Sequence, residues 1–276
     1  MFNQKMKKMK KFVLTISLSI AAICSTLAQF DDRFYFPSKE WEVIENMNYE
    51  EYNFTIESDT LNAILFKTET APKATMLFYH GAGGNISTYT FIIEPLVNAG
   101  FQVFAVDFRG YGKSTGVPTH VNIASDAQFI FNQMTKNEKM EETPLIVYGA
   151  SMGTQIATKI TKDNQSKISG LILDGTVSSF TDIALHSTPE EQKSIIKQYV
   201  TSPYSAKNDI KEIDNLPKIF IHSQTDESVP FEQGKLVFAN ASEPKELWAY
   251  EGNHLDAVVN NEKQYIQKIN SLLAQN

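Results

Sequence analysis

Residues 145–153 read LIVYGASMG, an apolar run that leads into a turn of small residues centred on Ser151. Gly149 and Gly153 flank the serine two positions away on either side. A chain that turns sharply from a strand into a helix has no room for side chains at these two positions, and it exposes the serine at the strand end. The stretch therefore predicts a strand, a tight turn and a helix, with Ser151 as the candidate nucleophile.

Short apolar runs alternate with segments of helical periodicity through most of the chain. The apolar runs are 74–80, 101–107, 144–149, 168–174 and 218–223, with a sixth, mixed run at 246–252. The helical segments are 87–99, 121–137, 151–163, 231–241 and 255–274. Strands that are apolar on both faces and alternate with helices indicate a parallel sheet that is covered on both sides. We therefore predict a three-layer α/β fold around a mostly parallel central sheet.

Three regions depart from this alternation. Residues 29–50 show no clear period and are predicted to be an irregular lead-in, whereas 53–68 alternate as an antiparallel hairpin would. Residues 177–216 are too long for a plain connection, and we predict a small helical lid inserted there. The sequence contains no repeats and no linker, so 29–276 is predicted to form one domain.

The first 28 residues have the composition of a secretory signal peptide. Five lysines within 5–11 precede an almost uncharged apolar run over 12–24, and Ala28 offers a small residue for cleavage. The apolar run rises only about 20 Å as a helix, short of a bilayer core of about 30 Å. The sequence therefore predicts an exported protein, periplasmic or secreted, without a stable membrane span after cleavage. Lipid attachment at Cys24 is a minor alternative.

The charge balance argues against several kinds of partner. The formal net charge is −7, and loss of the five leader lysines would leave 20 basic against 32 acidic residues, a net charge of −12. A protein with this negative charge is repelled by the phosphates of nucleic acid, so we predict no nucleic-acid partner. The only cysteine, Cys24, lies in the leader, and no HExxH motif or clustered His/Asp set predicts a metal or a cofactor. Nothing in the sequence specifies an oligomeric state.

A serine hydroxyl near neutral pH needs a general base. Of the five histidines, only His254 lies in a loop between the last predicted strand and the last predicted helix. The carboxyl ends of parallel strands meet at one edge of the sheet, so that loop should lie beside Ser151. His254 is the predicted base.

A carboxylate must fix the tautomer of that imidazole and stabilise its charged form. Asp226 follows the run 218–223 and gives the chain order Ser151, Asp226, His254. Two alternatives remain open, because Glu227 is adjacent and Asp174 ends the preceding strand.

The glycine-rich stretch FYHGAGGN, residues 78–85, follows the first parallel strand. Its backbone can approach a ligand closely, and we predict that the N–H groups of Ala82 and Met152 form an oxyanion hole. His80 is predicted to hold this loop by hydrogen bonding rather than to act as a base. In the stretch 107–116, we predict that Arg109 is ion-paired.

Five motifs occur in order and together carry a resemblance. They are HGAGGN (80–85), DFRGYGKS (107–114), GASMG (149–153), SQTDESVP (223–230) and GNHLD (252–256). This set resembles the α/β-hydrolase superfamily, in particular the subgroup of ABHD12-, ABHD13- and ABHD17-like proteins and bacterial hydrolases described as serine aminopeptidase S33-like. The resemblance implies a three-layer α/β-hydrolase fold, a Ser151–Asp226–His254 triad, and an oxyanion hole from Ala82 and Met152.

The resemblance also implies a reaction class, because relatives of this kind cleave carboxylic esters, lysophospholipids, thioesters or amides. We predict a serine hydrolase that forms an acyl-enzyme with a small-molecule acyl substrate, most simply a carboxylic ester. An aminopeptidase or amidase on the same triad is the alternative. An aminopeptidase would need acidic groups to bind the free amine of its substrate, and the predicted lid contains Glu190, Glu191 and Asp209. Acyl transfer to an acceptor other than water and a non-catalytic binding role are further alternatives.

Overall fold

The protein is described by a computed structural model over residues 28–137, 140 and 142–274. The predicted signal peptide, apart from Ala28, and the possible lipid site at Cys24 lie outside the described residues. No helix in the described part has both the length and the apolar character needed to cross a bilayer.

An eight-stranded sheet forms the middle layer of the fold. Strands in chain order are β1 (Phe36–Pro37), β2 (Asn48–Ile56), β3 (Asp59–Lys67), β4 (Ala74–Tyr79), β5 (Gly83–Gly84), β6 (Phe101–Val106), β7 (Leu145–Ala150), β8 (Gly170–Asp174), β9 (Lys218–Ser223) and β10 (Lys245–Tyr250). The sheet order is β10-β9-β8-β7-β4-β6-β3-β2, and β1 pairs separately with β5. The six neighbouring strands β10, β9, β8, β7, β4 and β6 are parallel to one another. Strand β3 is antiparallel to both β2 and β6.

Helices cover both faces of this sheet. They are α1 (Thr90–Asn98), α2 (His120–Met134), α3 (Gly153–Asp163), α4 (Phe180–His186), α5 (Lys193–Tyr199), α6 (Ala206–Asp209), α7 (Phe231–Asn240) and α8 (Ala257–Leu273). Buried residues of α1 and α8 belong to one apolar cluster, and those of α2, α3 and α7 to the other. The predicted three-layer fold with a mostly parallel central sheet is confirmed.

Strand β4 shows why the sheet must be covered on both sides. All six of its residues are buried. Leu77 and Tyr79 pack into the cluster of α2 and α3, while Met76 and Phe78 pack into the cluster of α1 and α8. Successive side chains of a strand point to opposite faces, so a continuous apolar run needs a hydrophobic layer on each side.

The insertion between β8 and β9 contains α4, α5 and α6 together with two short 3₁₀ turns, Glu190–Gln192 and Ile210–Glu212. The helical character predicted for residues 177–216 is therefore confirmed. The hairpin predicted at 53–68 is also present as β2 and β3, although β2 begins earlier, at Asn48.

The lead-in is more ordered than its sequence predicts. A 3₁₀ segment spans Ala28–Phe34, and β1 follows it. Asp31 accepts a hydrogen bond from the backbone N–H of His120, 89 residues away, and the Tyr35 hydroxyl bonds His120 Nδ1 at 2.6 Å. The prediction of an irregular lead-in holds for residues 38–47, which form no helix or strand, but it was wrong for the part before residue 38, which contacts distant in sequence order.

Arg109 is ion-paired as predicted. Its guanidinium donates to both oxygens of Asp126, at 2.6 and 3.0 Å, and to Asp59 at 2.6 Å. The Arg109 and Asp126 side chains are only 9% and 5% exposed. This buried pair ties α2 to the loop after β6, at the carboxyl edge of the parallel strands.

Buried acidic groups also lie at that edge. Asp174 ends β8 with no exposed surface, and its Oδ2 accepts a hydrogen bond of 2.7 Å from the Tyr148 hydroxyl. Tyr148 is in turn 2.7 Å from the hydroxyl of Tyr265 on α8. Burial raises the pKa of Asp174 to about 7, against the smaller lowering effects of Tyr148 and His254.

Removing Arg109 should destabilise the fold strongly. We expect Arg109→Gln to lower the free energy of unfolding by about 3–5 kcal/mol, because it leaves Asp126 and Asp59 without a cation. The measurement is urea denaturation at pH 7. Lys159→Gln is the control, since it breaks an i,i+4 pair with Asp163 and should cost less than about 0.5 kcal/mol. Equal small losses in both variants would contradict this account.

The raised pKa of Asp174 predicts a specific pH dependence of stability. The folded chain binds this proton more tightly than the unfolded chain, so the stability that it contributes falls as pH rises from about 4 to about 7. From pH 5 to pH 7, the unfolding free energy should therefore fall by roughly 2 kcal/mol less in Asp174→Asn than in the wild type. Denaturation of both proteins across this range tests it, and parallel curves would refute it.

Candidate functional site

The turn between β7 and α3 places Ser151 at the carboxyl edge of the sheet. Ser151 has a φ of +54°, in the left-handed region that side chains rarely adopt. A β-carbon on Gly149 would lie 2.7 Å from the Ala157 β-carbon, and one on Gly153 would overlap the carbonyl oxygen of Tyr79. The two glycines are needed because α3 packs directly against the ends of β4 and β7.

Hydrogen bonds hold this turn in place. The Ser151 N–H donates to the carbonyl oxygen of Asp174 at 2.7 Å, which joins the turn to the end of β8. The Thr154 N–H and hydroxyl both donate to the Ser151 carbonyl, at 2.9 and 2.6 Å. The Ser151 side chain therefore stands at the beginning of α3, where the helix dipole favours negative charge.

His254 and Asp226 form a hydrogen-bonded pair on the loops after β10 and β9. His254 Nδ1 lies 2.5 Å from Asp226 Oδ2, and the other oxygen accepts the N–H groups of Ser228 and Val229 at 2.8 Å each. Burial alone would raise the pKa of Asp226, but the hydrogen bond and charge of His254 and the two amides lower it below its ordinary value. Asp226 is therefore suited to remain ionised and to hold the imidazole.

The same loops bring His254 beside the serine turn. A β-carbon on Gly175 would lie 2.5 Å from His254 Cε1, and Gly175 directly follows Asp174, whose carbonyl binds the Ser151 N–H. Ser151 and His254 line one pocket. His254 Nε2 is buried and makes no hydrogen bond within the described residues, so its bond to Ser151 is not formed here. Catalytic hydrogen bonds of unliganded sites often tighten only when substrate binds.

The two competing carboxylates occupy other positions. Asp174 bonds Tyr148, as described above, and Glu227 is exposed to solvent. Asp226 is the carboxylate that bonds His254. His222 lies near it, with Nε2 at 3.6 Å from Asp226 Oδ2, but this ring bonds the Val229 carbonyl at 2.9 Å and burial lowers its pKa.

The loop after β4 is held rigidly at the rim of the pocket. The Ala82 carbonyl accepts hydrogen bonds from the Phe36 N–H at 2.8 Å and from the Tyr111 hydroxyl at 2.6 Å. These bonds fix the orientation of the loop that carries the Ala82 N–H. Met152 is the N-cap of α3, so its N–H precedes the intrahelical ladder. Ala82 and Met152 both line the pocket.

His80 has the structural role predicted for it. The side chain has no exposed surface, and its Nδ1 lies 2.8 Å from the Gly81 carbonyl oxygen. Burial lowers the pKa of His80 to about 4. The ring is therefore neutral near pH 7 and stabilises the loop through its contact with the Gly81 carbonyl.

A pocket of about 620 Å³ opens at this edge of the sheet. Apolar and aromatic side chains dominate its wall, and they come from the inserted helices, the loop after β4 and the lead-in. Its lining includes Phe30, Arg33, Phe34, Phe36, Ala82, Gly83, Tyr89, Ser151, Met152, Val177, Phe180, Ile183, Ala184, Ser187, Thr188, Ile196, Val200, Ser228, Val229, His254 and Leu255. This volume lies within the usual range for small-molecule sites.

Sequence reasoning missed the contribution of the lead-in. Four lead-in residues, Phe30, Arg33, Phe34 and Phe36, line the pocket. The available signal was the density of aromatic residues in FDDRFYF, four among residues 30–36. Within the described part of the chain, no group of three or more His, Cys, Asp or Glu side chains is arranged to hold a metal ion.

Known proteins share both the sequence pattern and the fold. A family profile described as "Serine aminopeptidase, S33" matches residues 70–184. Protein Bem46 of Schizosaccharomyces pombe is 33% identical over 197 residues, which cover 70% of this chain and 66% of that protein. YfhR of Escherichia coli K12, described as uncharacterised, is 26% identical over 262 residues, covering 92% of this chain and 89% of that protein.

Among solved structures, the esterase Pf2001 of Pyrococcus furiosus superposes with a TM-score of 0.69 at 20% identity. The superposition covers 87% of this chain and 98% of that one. At this identity the likeness establishes the fold, and the sequence relatives establish the family. The chain belongs to the α/β-hydrolase superfamily.

Proposed function

We propose that this protein is a serine hydrolase that cleaves a carboxylic ester with a small or medium apolar acyl group. Ser151 is the nucleophile, His254 the general base and Asp226 the carboxylate that orients it. The observation that carries the proposal is the meeting of the serine turn and the Asp226–His254 pair at one apolar pocket. Neighbouring folds described as esterases lend further support.

In the first half of the reaction, Ser151 Oγ attacks the ester carbonyl carbon while its proton passes to His254 Nε2. The carbonyl oxygen becomes an oxyanion, which the N–H groups of Ala82 and Met152 stabilise. Asp226, held ionised by its hydrogen bonds, stabilises the imidazolium that forms. The intermediate collapses, the alcohol leaves with the proton from His254, and the acyl group stays on Ser151.

In the second half, water attacks the acyl-enzyme carbonyl and gives a proton to His254. A second oxyanion forms in the same hole and collapses. The carboxylic acid leaves, and the proton returns to Ser151 Oγ. Ser151 and His254 return to their starting protonation states. One ester and one water are consumed, and one alcohol and one carboxylic acid are released.

The pocket wall supports an apolar acyl group. Beyond the reacting residues, Phe180 and Ile183 of α4, Ile196 of α5 and Val177 line the cavity with hydrocarbon surface. Burial of such surface stabilises an acyl chain by about 0.8 kcal/mol per methylene. The wall therefore favours esters with several acyl carbons over acetate.

The pocket gives no support to the aminopeptidase alternative. A free amine would need a carboxylate, and none is found among the described residues that line the cavity. Glu190 pairs with Lys193 at 2.6 Å and Asp209 with Lys162 at 2.7 Å, whereas Glu191 is exposed and does not line the pocket. We also propose export of the enzyme, and this proposal rests on the composition of residues 1–28 alone.

The nucleophile is tested by active-site labelling. We expect a fluorophosphonate probe to label the wild-type protein and Ser151→Ala to abolish both labelling and hydrolysis of p-nitrophenyl esters. Ser125→Ala, a change at an exposed serine of α2, is the matched control and should keep both activities. Aminoacyl p-nitroanilides should be cleaved far more slowly than the esters. Labelling of Ser151→Ala equal to wild type, or faster cleavage of the anilides, would overturn the proposal.

The choice of carboxylate is tested by two amide variants. Asp226→Asn should lower kcat by about 10⁴-fold, because an amide neither fixes the productive tautomer nor stabilises the imidazolium. Asp174→Asn should lower kcat less than about tenfold, since Asp174 bonds Tyr148 instead of His254. Steady-state kinetics on one ester, with thermal melts to verify folding, measure both. A larger loss in Asp174→Asn would assign the role to the other carboxylate.

A further inference from the structure

We infer that Arg33 binds an anionic group of the substrate at the mouth of the pocket and is a specificity-determining residue. This inference rests on the proposed ester hydrolysis and adds the charge of the substrate to it. The chemistry recognised is a phosphate or a carboxylate on the alcohol side of an ester whose acyl chain lies in the apolar part of the pocket.

Arg33 is unlike the rest of the pocket wall. Among the described residues that line the pocket, it is the only one of the types Asp, Glu, Lys and Arg. Its guanidinium lies 5.2 Å from the centroid of the Phe30 ring, and none of the ion pairs between described residues includes it. Arg109, in contrast, is saturated by two carboxylates. A cation without an anionic partner at a pocket mouth is available to a ligand.

The backbone around Arg33 is fixed on both sides. Before it, Asp31 Oδ2 accepts the His120 N–H at 2.8 Å. After it, the Tyr35 hydroxyl bonds His120 Nδ1 at 2.6 Å, and the Phe36 N–H bonds the Ala82 carbonyl at 2.8 Å. The same segment that presents Arg33 therefore also supports the loop that carries the Ala82 N–H.

Aromatic contacts seat this segment against the inserted helices. The Phe34 ring lies 5.4 Å from that of Phe180 on α4, edge to face, and Phe30 stacks on Tyr199 of α5 at 5.9 Å. These contacts hold the segment over the pocket as part of its wall. Arg33 itself is exposed, so its side chain can turn towards a ligand without breaking the packing beneath it.

The chemistry of the guanidinium selects the ligand. Its planar fork matches the oxygens of phosphate and carboxylate, and such charge-assisted bonds are about twice as strong as neutral ones. The charged group of a substrate resists burial, so it stays at the solvent end while the acyl chain enters the apolar interior. Since the chain as a whole is acidic, a local cation at the mouth is needed to attract an anion.

The test compares three octanoyl esters that share one acyl chain, the esters of glycerol, glycerol 3-phosphate and glyceric acid. We expect Arg33→Gln to lower the ratio of kcat/KM for an anionic ester to that for the neutral ester by about tenfold, and Arg33→Lys to restore part of it. The phosphate and carboxylate arms show which anion is preferred. Higher salt should reduce the same ratio in the wild type.

Lys235→Gln is the matched control. It removes the same charge from an exposed side chain that also lies over a ring, Phe231 at 5.6 Å, but does not line the pocket. The ratio should not change in this variant. An unchanged ratio in Arg33→Gln, or an equal fall in Lys235→Gln, would overturn the inference.

A binding measurement separates this inference from the proposed reaction. Octyl phosphate has no carboxylic ester to cleave. Titration calorimetry should give a Kd for octyl phosphate that is about tenfold higher for Arg33→Gln than for the wild type. If no ester is hydrolysed but this difference is found, the proposed function fails and the anion site stands. If esters are hydrolysed and octyl phosphate binds both proteins equally, the anion site fails alone.

Discussion

The close packing of α3 on the end of the sheet constrains the carboxyl edge around Ser151. Ser151 sits in the left-handed backbone region, a conformation that costs of order 1–3 kcal/mol and persists only where surrounding structure enforces it. Here Gly149 and Gly153 let the helix approach β4 and β7, while the Asp174 carbonyl binds the Ser151 N–H. The strained turn is thus held by a buried sheet, and Ser151, half-buried, lines the pocket.

Parallel strands bring the remaining chemistry to the same edge, and burial separates the roles of the acidic groups there. Asp226 receives two backbone N–H groups and an imidazole, so it is suited to carry a charge. Asp174, with one tyrosine hydroxyl as its partner, has a raised pKa. Burial dominates at Asp174, whereas at Asp226 the imidazole and the two backbone N–H groups outweigh burial, so the pKa values of the two carboxyl groups shift in opposite directions.

The pocket is assembled from parts that are distant in the chain. The sheet edge supplies Ser151 and His254, the insertion between β8 and β9 supplies an apolar wall, and the lead-in lines the mouth. The lead-in is fixed by bonds from Asp31 and Tyr35 to His120 and by β1 pairing with β5. Its Phe36 N–H bonds the Ala82 carbonyl, so the mouth of the pocket is coupled to the loop after β4.

Local rules determined much of this protein from its sequence. Apolar runs at strand spacing, helical periodicity between them and two glycines around Ser151 were enough for the fold class, the serine turn and the positions of Asp226 and His254. These features depend on neighbours within a few residues, where sterics and side-chain periodicity act directly.

Only the tertiary structure decided which carboxylate meets His254 and what encloses the pocket. Asp174 ends β8 and Asp226 lies in the loop just after β9, and the sequence does not show that Asp226 lies 2.5 Å from the imidazole of His254 while Asp174 bonds Tyr148. The lead-in has no period of its own, because its order comes from partners such as His120, 85 residues or more away. Contacts of that separation arise when the whole chain packs, so no local pattern encodes them.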